Sequence, residues 1–173
     1  MAMGRATPIL QIVGYQNSGK TTLMEKLVHA FSNEGRKVAT IKHHGHGGFP
    51  ELPQKDSERH RQAGAVVSGV EGAGLLSISA LRNHWVLKDV IQLYEFFAVD
   101  LILIEGYKTE SYPKVVLLRS LDDMSLLEQV DNIKAVIAWD EAILQLQKTY
   151  KIFHITDADS YMKWLVEMVR GAK

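Results

Sequence analysis

The sequence predicts an α/β protein, with a mostly parallel β-sheet, helices on both faces and one accessory β-hairpin. Strand-like and helix-like segments alternate along the 173 residues, an order that is typical of a parallel sheet. A glycine-rich loop at residues 14–21 joins the first predicted strand to the first predicted helix. The run LILI at residues 101–104 is apolar throughout, as expected of a strand that is buried on both faces.

The loop at residues 14–21 reads GYQNSGKT and matches the pattern G-x-x-x-x-G-K-[ST] at every position. Its main-chain N–H groups and the N-terminus of the following helix are predicted to form a cradle for phosphate oxygens. Lys20 is predicted to reach the β- and γ-phosphates, and Thr21 to offer its hydroxyl to Mg²⁺. The loop residues predicted to bind the nucleotide are Gly14, Gln16, Asn17, Ser18, Gly19, Lys20 and Thr21. This motif therefore predicts a P-loop NTPase-like, nucleotide-binding fold.

Hydrophobic patterning assigns the other elements. Apolar residues at helical spacing in residues 22–32 predict the first helix, and Gly35 is its predicted C-cap. A helix at residues 86–97 is expected to bury Val86 and Phe97. The predicted strands are 9–13, 38–41, 65–70, 75–79, 100–105, 114–118, 133–138 and 152–155. The remaining predicted helices are 56–62 and 160–170.

Turn residues explain where the regular pattern is interrupted. Three glycines and two prolines between residues 43 and 53 predict a long loop, which is often functional in a compact domain. The sequence EGAG at residues 71–74 suits the turn of the accessory hairpin. Because no linker or internal repeat is evident, we expect a single nucleotide-binding domain over residues 1–173.

Composition limits the classes of partner. The chain carries 20 basic and 20 acidic side chains and has no cysteine. The balanced charge argues against nucleic-acid binding, and the absence of cysteine excludes disulfides and thiolate metal sites. The apolar runs are too short to span a bilayer, and residues 1–5 lack the apolar core of a signal peptide. We therefore expect a cytoplasmic protein with no membrane partner.

Polar residues follow several predicted parallel strands, whose carboxyl ends share one edge of the sheet. Lys42 and His43 follow the second strand, and Glu105 ends the strand at 100–105. Asp100 begins that strand, about 16 Å from Glu105 at the rise of a β-strand. Glu105 is therefore predicted to approach Mg²⁺ beside the phosphate loop, and Lys20 and Glu105 are the predicted catalytic residues.

Several side chains keep two interpretations open. Lys42 and His43 either contact a phosphate or anionic substrate, or lie in a solvated loop. Asp56 is either a further Mg²⁺ partner or a helix cap. Asp140 either accepts a hydrogen bond from guanine or starts a helix, since the guanine motif N-K-x-D is absent. A zinc site at the histidine-rich segment is the weaker alternative there, since its spacing matches no compact signature; the candidate ligands are His43, His44, His46, Asp56, Glu58 and His60.

The motifs together resemble the MobB family, molybdopterin-guanine dinucleotide biosynthesis protein B. The matching segments are GYQNSGKTT at 14–22, TIKH at 40–43 with His46, KDSERH at 55–60, AGA at 63–65, DLILIEGYK at 100–108 and PKV at 113–115. These segments occur in the family's order between residues 9 and about 118. Beyond residue 120 the resemblance becomes diffuse.

The resemblance implies a GTP-binding accessory protein of molybdenum-cofactor maturation with weak Mg²⁺-dependent GTP hydrolysis. It implies a MobA-type nucleotidyltransferase as partner, molybdopterin or its guanine dinucleotide as a further ligand, and a homodimer. Thr22 joins the phosphate-binding residues on this basis. The alternative is a small-molecule kinase using ATP or GTP, with the loop at residues 45–54 as its lid.

Overall fold

The structure is a computed structural model that describes residues 7–45, 56–146 and 149–171, with residues 56–58 described by their backbone alone. The chain divides into two compact units. Met1–Gly45 together with Tyr94–Lys173 forms the first unit, and His46–Leu93 forms the second. That residues 1–173 form a single nucleotide-binding domain stays a prediction.

A six-stranded sheet organises the first unit. Its strand order is β2-β5-β1-β6-β7-β8, and every neighbouring pair is parallel. All six carboxyl ends therefore meet at one edge, where ligands bind in open α/β sheets. The strands are β1 Ile9–Gly14, β2 Val38–Lys42, β5 Leu101–Glu105, β6 Lys114–Leu118, β7 Ile133–Ala138 and β8 Lys151–His154.

Helices cover both faces of this sheet, as the sequence predicted. Leu27 and Phe31 of α1 (Lys20–Asn33) and Leu165 of α6 (Ala158–Gly171) are buried in the core of one face. The core of the other face buries Leu126 and Ile143. The elements there are a 3-10 helix at Leu121–Ser125, α4 Leu126–Gln129 and α5 Glu141–Leu144. Among the described residues, no helix is both long and apolar enough to cross a bilayer.

The second unit contains the predicted hairpin. Strands β3 (Val67–Gly72) and β4 (Leu75–Ala80) pair antiparallel in full register. Helix α2 (Asp56–Gln62) precedes the hairpin, and α3 (Leu87–Glu95) follows it across the boundary between the units.

Two expectations from the sequence were wrong or incomplete. The helix predicted at 86–97 runs from Leu87 to Glu95, and Val86 and Phe97 remain 45% and 51% exposed instead of buried. Helical periodicity identifies an apolar face but not what covers it. The short helices after β6 were not predicted, because the four or five residues of each carry too little periodicity to recognise.

Candidate nucleotide-binding site

The loop between β1 and α1 has a conformation that only its glycines permit. A Cβ atom on Gly14 would lie 2.5 Å from the Ser18 Oγ and 2.9 Å from the Leu117 carbonyl oxygen. Gly19 has φ +97°, a left-handed conformation that other residues rarely adopt. These two positions let the main chain curl tightly before α1 begins at Lys20.

Ser18 lies at the centre of this curl. Its hydroxyl is fully buried and has no hydrogen-bond partner among the described residues. Its carbonyl oxygen accepts a hydrogen bond of 3.0 Å from the indole Nε1 of Trp139, the first residue after β7. Trp139 therefore links the loop to a strand on the far side of β6.

Lys20 is folded back onto the loop. Its Nζ donates a hydrogen bond of 2.7 Å to the Tyr15 carbonyl oxygen. Partial burial lowers the pKa of Lys20 below its usual value of 10.5, the Glu105 carboxylate opposes that shift, and three other cations add to it. Those cations are Lys108, Lys42 and Arg119. The loop therefore lies in a local excess of positive charge within a protein of zero net charge.

Glu105 lies between two polar side chains of neighbouring elements. The Thr21 hydroxyl donates to Glu105 Oε2 at 3.3 Å, and Lys42 Nζ lies 3.4 Å from Oε1. Glu105 is only 8% exposed, whereas the side chain of Lys42 is 65% exposed. The hydroxyl and carboxylate oxygens form a set of hard ligands of the kind that Mg²⁺ prefers.

Asp100 lies elsewhere, as strand geometry required. Its Oδ2 accepts a hydrogen bond of 2.8 Å from the main-chain N–H of Lys37, which precedes β2. It therefore occupies the amino edge of the sheet and Glu105 the carboxyl edge.

The main chain of His43 contacts Glu105, whereas its ring packs against Tyr107. Its N–H donates to the Glu105 carbonyl oxygen at 2.9 Å. Its ring centroid lies 4.3 Å from that of Tyr107. Of the pair Lys42 and His43, Lys42 is therefore the one whose side chain contacts the Glu105 carboxylate.

The other predicted site residues differ in position. Gln16 and Asn17 are exposed on the loop, and the segment from Asn17 to Thr22 lines a cavity of about 310 Å³ together with Trp139. Asp140 caps α5, because its Oδ1 accepts a hydrogen bond of 2.9 Å from the N–H of Ala142.

The candidate ligands of a second metal site lie partly outside the described residues. The side chain of Asp56 and all of His46 lie outside what the structure describes, as does the side chain of Glu58. Within the described part of the chain, no group of three or more histidine or acidic residues is arranged to hold a metal ion.

Two kinds of site residue were not predicted from the sequence. Trp139 was passed over in favour of its neighbour Asp140, although an aromatic residue directly after a buried strand at the carboxyl edge was a usable signal. Lys108 and Arg119 had no local signal, since only the fold brings them within electrostatic range of Lys20.

The fold and the site define a protein of the P-loop NTPase class. Three features fit a phosphate chain with a divalent cation: the glycine cradle, the pairing of Thr21 with Glu105, and a buried Ser18 hydroxyl that has no partner in the described part of the chain.

The chain belongs to the MobB family. The model of the family described as molybdopterin guanine dinucleotide synthesis protein B matches residues 9–139. A Bacillus subtilis protein named as a probable molybdopterin-guanine dinucleotide biosynthesis adapter protein is 44% identical over 159 residues, 91% of each chain. The Escherichia coli adapter protein of that name is 33% identical over 122 residues, covering 69% of this chain and 70% of its own.

Solved structures agree with this assignment. A MobB homologue from Bacillus stearothermophilus is 44% identical, with a TM-score of 0.78 over 94% of this chain and 98% of its own. Bacillus subtilis MobB gives a TM-score of 0.82 at 40% identity over 92% and 96% of the two chains. Helicobacter pylori HypB, at 17% identity and a TM-score of 0.51, shares the fold alone, over 95% of this chain and 88% of its own.

The electrostatics of Lys20 lead to a first prediction. Glu105→Gln removes the negative charge that raises the Lys20 pKa, so this pKa should fall further below 10.5. The ammonium group should then lose its charge at a lower pH. NMR titration of ¹³C-labelled lysine measures the shift. Asp100→Asn, at the opposite edge of the sheet, is the control and should leave Lys20 unchanged. A rise of the Lys20 pKa in Glu105→Gln would contradict the electrostatic assignment.

Proposed function

We propose that this protein binds GTP and Mg²⁺ at the phosphate loop and serves as a cytoplasmic adapter in the biosynthesis of molybdopterin guanine dinucleotide. We further propose that it works with a MobA-type nucleotidyltransferase and hydrolyses GTP slowly. The observation that carries the proposal is the Thr21–Glu105 contact of 3.3 Å beside a complete phosphate loop, in a chain whose relatives are named as adapters of this pathway.

The chain's own groups account for triphosphate binding. Main-chain N–H groups of the loop and the first turn of α1 point their dipoles at the phosphate oxygens. Lys20, which is held by the Tyr15 carbonyl oxygen, exchanges that neutral acceptor for an anionic one. Thr21 and Glu105 would hold Mg²⁺, whose charge offsets that of the phosphate oxygens when it is bound.

Slow hydrolysis follows from what surrounds the loop. Phosphoryl transfer depends mainly on positioning and on stabilising negative charge, and an arginine often supplies the last part of that charge. Arg119 follows β6 but is bound to Asp123, with Nε and Nη2 at 3.1 Å and 3.2 Å from its carboxylate oxygens. This ion pair engages the arginine that lies within electrostatic range of Lys20. We propose that faster turnover would need a further positive group at the phosphates.

The carboxyl end of β2 offers a place for the pathway ligand. Lys42 is exposed and lies on the metal side of the phosphate loop. We propose that molybdopterin, or its guanine dinucleotide, approaches from this side, so that the exposed ammonium group meets an anionic ligand.

Lys20→Ala tests nucleotide binding. Loss of one charge-assisted interaction with the phosphates should weaken Mg²⁺–GTP binding by roughly tenfold or more, as measured by titration calorimetry. Lys134→Ala is the matched control, because Lys134 is exposed near the amino end of β7 and should leave affinity unchanged. Equal affinity of Lys20→Ala and the unaltered protein, with both folded, would remove the proposed nucleotide site.

Reconstitution with a MobA-type nucleotidyltransferase tests the adapter role. The two proteins should co-elute in size-exclusion chromatography with GTP and molybdopterin present, and dinucleotide formation should exceed that of the transferase alone. Omitting this protein, or replacing it with the Lys20→Ala variant, supplies the controls. If the two proteins do not co-elute and dinucleotide formation is no faster, the adapter role is refuted. The proposed nucleotide binding would not be affected by that result.

The hairpin supports a homodimer. Its outward apolar side chains include Val66, Leu75 and Ile78, which are 67%, 71% and 59% exposed. An isolated two-stranded hairpin is marginally stable, and an exposed apolar patch of this kind usually marks an interface. Glu71 is the one charged residue between residues 66 and 81, so two identical hairpins can meet without strong charge repulsion. We propose that a second copy of the chain covers this surface.

Disrupting the hairpin surface should therefore change the oligomeric state. Ile78→Lys places a charge in the proposed interface and should shift the mass from dimer to monomer in sedimentation equilibrium. Leu121→Lys is the control, because Leu121 is 51% exposed in the 3-10 helix of the first unit, remote from the hairpin in sequence. A monomeric unaltered protein, or a dimer that persists in Ile78→Lys, would refute this interface.

A further inference from the structure

We propose that the indole of Trp139 is the stacking surface for the nucleotide base, and that it contributes affinity without choosing between guanine and adenine. The proposal rests on the nucleotide binding argued above and names a residue for the half of the ligand that the phosphate loop does not contact.

The order of strands indicates the direction in which a bound nucleotide extends from the phosphate loop. The carboxylate of Glu105 belongs to β5 on one side of β1, so the metal end of the phosphate chain lies on that side. The nucleoside must then extend to the other side, past β6 toward β7. The cavity beside the loop opens in that direction, because its lining in the described part of the chain consists of the segment from Asn17 to Thr22 and Trp139.

The indole is held in place before any ligand arrives. Its Nε1 donates to the Ser18 carbonyl oxygen at 3.0 Å. The main-chain N–H of Trp139 donates to the Leu118 carbonyl oxygen at 2.9 Å, and the Trp139 carbonyl oxygen lies 3.0 Å from Nε2 of His154. Three contacts with three different segments thus fix both ends of the residue. A side chain fixed in this way loses little conformational entropy when it binds a ligand.

Half of Trp139 nevertheless remains exposed. An exposed indole beside a polar phosphate site leaves apolar surface in water, and a base stacked on it would remove that surface. Stacking uses the π-face that every base presents, whereas the choice of base depends on hydrogen bonds to its edge. The neighbouring carboxylate of Asp140 already accepts the N–H of Ala142 through Oδ1. Trp139 therefore supplies binding energy that guanine and adenine share.

A competing route for the base lies on the metal side. A groove of about 580 Å³ runs between α1 and β2, starting at Thr21, Lys42 and Glu105. Its lining includes no tryptophan, tyrosine or phenylalanine. Among the described residues, the aromatic ring in this groove is the imidazole of His29, whose face is smaller than that of an indole. A base in this groove would leave Trp139 without effect on affinity.

The experiment compares three ligands by titration calorimetry: Mg²⁺–GTP, Mg²⁺–ATP and inorganic tripolyphosphate with Mg²⁺. Trp139→Ala should weaken GTP and ATP by the same factor, roughly 5- to 150-fold, and leave tripolyphosphate within about twofold. Trp139→Phe keeps an aromatic face but loses the hydrogen bond to Ser18, and it should retain most of the nucleotide affinity. Unchanged tripolyphosphate binding also shows that the loop of each variant is folded.

Fluorescence gives a second readout. Trp85 and Trp164 are the other two tryptophans, so the Trp85→Phe/Trp164→Phe variant reports Trp139 alone. Its emission should change on adding GTP or ATP and stay constant with tripolyphosphate.

The outcomes separate stacking from other roles. An equal loss of all three ligands in Trp139→Ala would show that the indole only braces the loop. The same loss in Trp139→Phe as in Trp139→Ala would assign the effect to the Ser18 hydrogen bond. Unchanged nucleotide affinity in Trp139→Ala would place the base elsewhere. Each of these results overturns the proposal. Failure of the unaltered protein to bind even tripolyphosphate would instead overturn the proposed nucleotide site itself.

Discussion

The parallel pairing of β1 with β5 is the constraint on which the site depends. The register that sets Ile12 opposite Glu105 brings the end of β5 beside the start of the phosphate loop. Pairing of β2 with β5 then sets Lys42 opposite Glu105. Because successive strands lie about 4.8 Å apart, one carboxylate can meet side chains from α1 and β2. A shift of one residue in the register of β5 would turn Glu105 to the other face of the sheet and remove it from Thr21.

The site has a local excess of positive charge, although the whole chain has no net charge. Lys42, Lys108 and Arg119 all lower the pKa of Lys20, and the Glu105 carboxylate opposes them. Asp123 accepts hydrogen bonds from Arg119, and this contact holds the pKa of Asp123 below its usual range. These three cations act on a loop whose main-chain dipoles also favour anions. The charges of the 20 basic and 20 acidic residues cancel over the whole chain. Any attraction for a phosphate chain must therefore come from this local charge, as the sequence predicted.

The second unit has a different physical character. In the first unit, apolar side chains from both faces of the sheet are buried under helices. In the hairpin, Ser68 is the single buried residue among the two strands, and most of the apolar side chains are exposed. An apolar side chain stabilises a fold when it is removed from water. The exposed apolar residues of the hairpin therefore add little to its stability. Apolar runs therefore predict strands correctly in both units, but the apolar side chains are mostly buried in the first unit and mostly exposed in the hairpin.

The sequence alone determined the phosphate loop, the central strands and the likeness to a family. Each of these depends on residues close together in the chain, such as Gly14 with Gly19 or the apolar run that ends at Glu105. Strands β6 and β7 were predicted at their observed bounds for the same reason. Only the tertiary structure decided that Trp139 would reach Ser18, that Lys108 and Arg119 would act on Lys20, and that Val86 and Phe97 would stay exposed. Contacts between residues far apart in sequence depend on strand order and on which surfaces find a cover, and no local pattern records either.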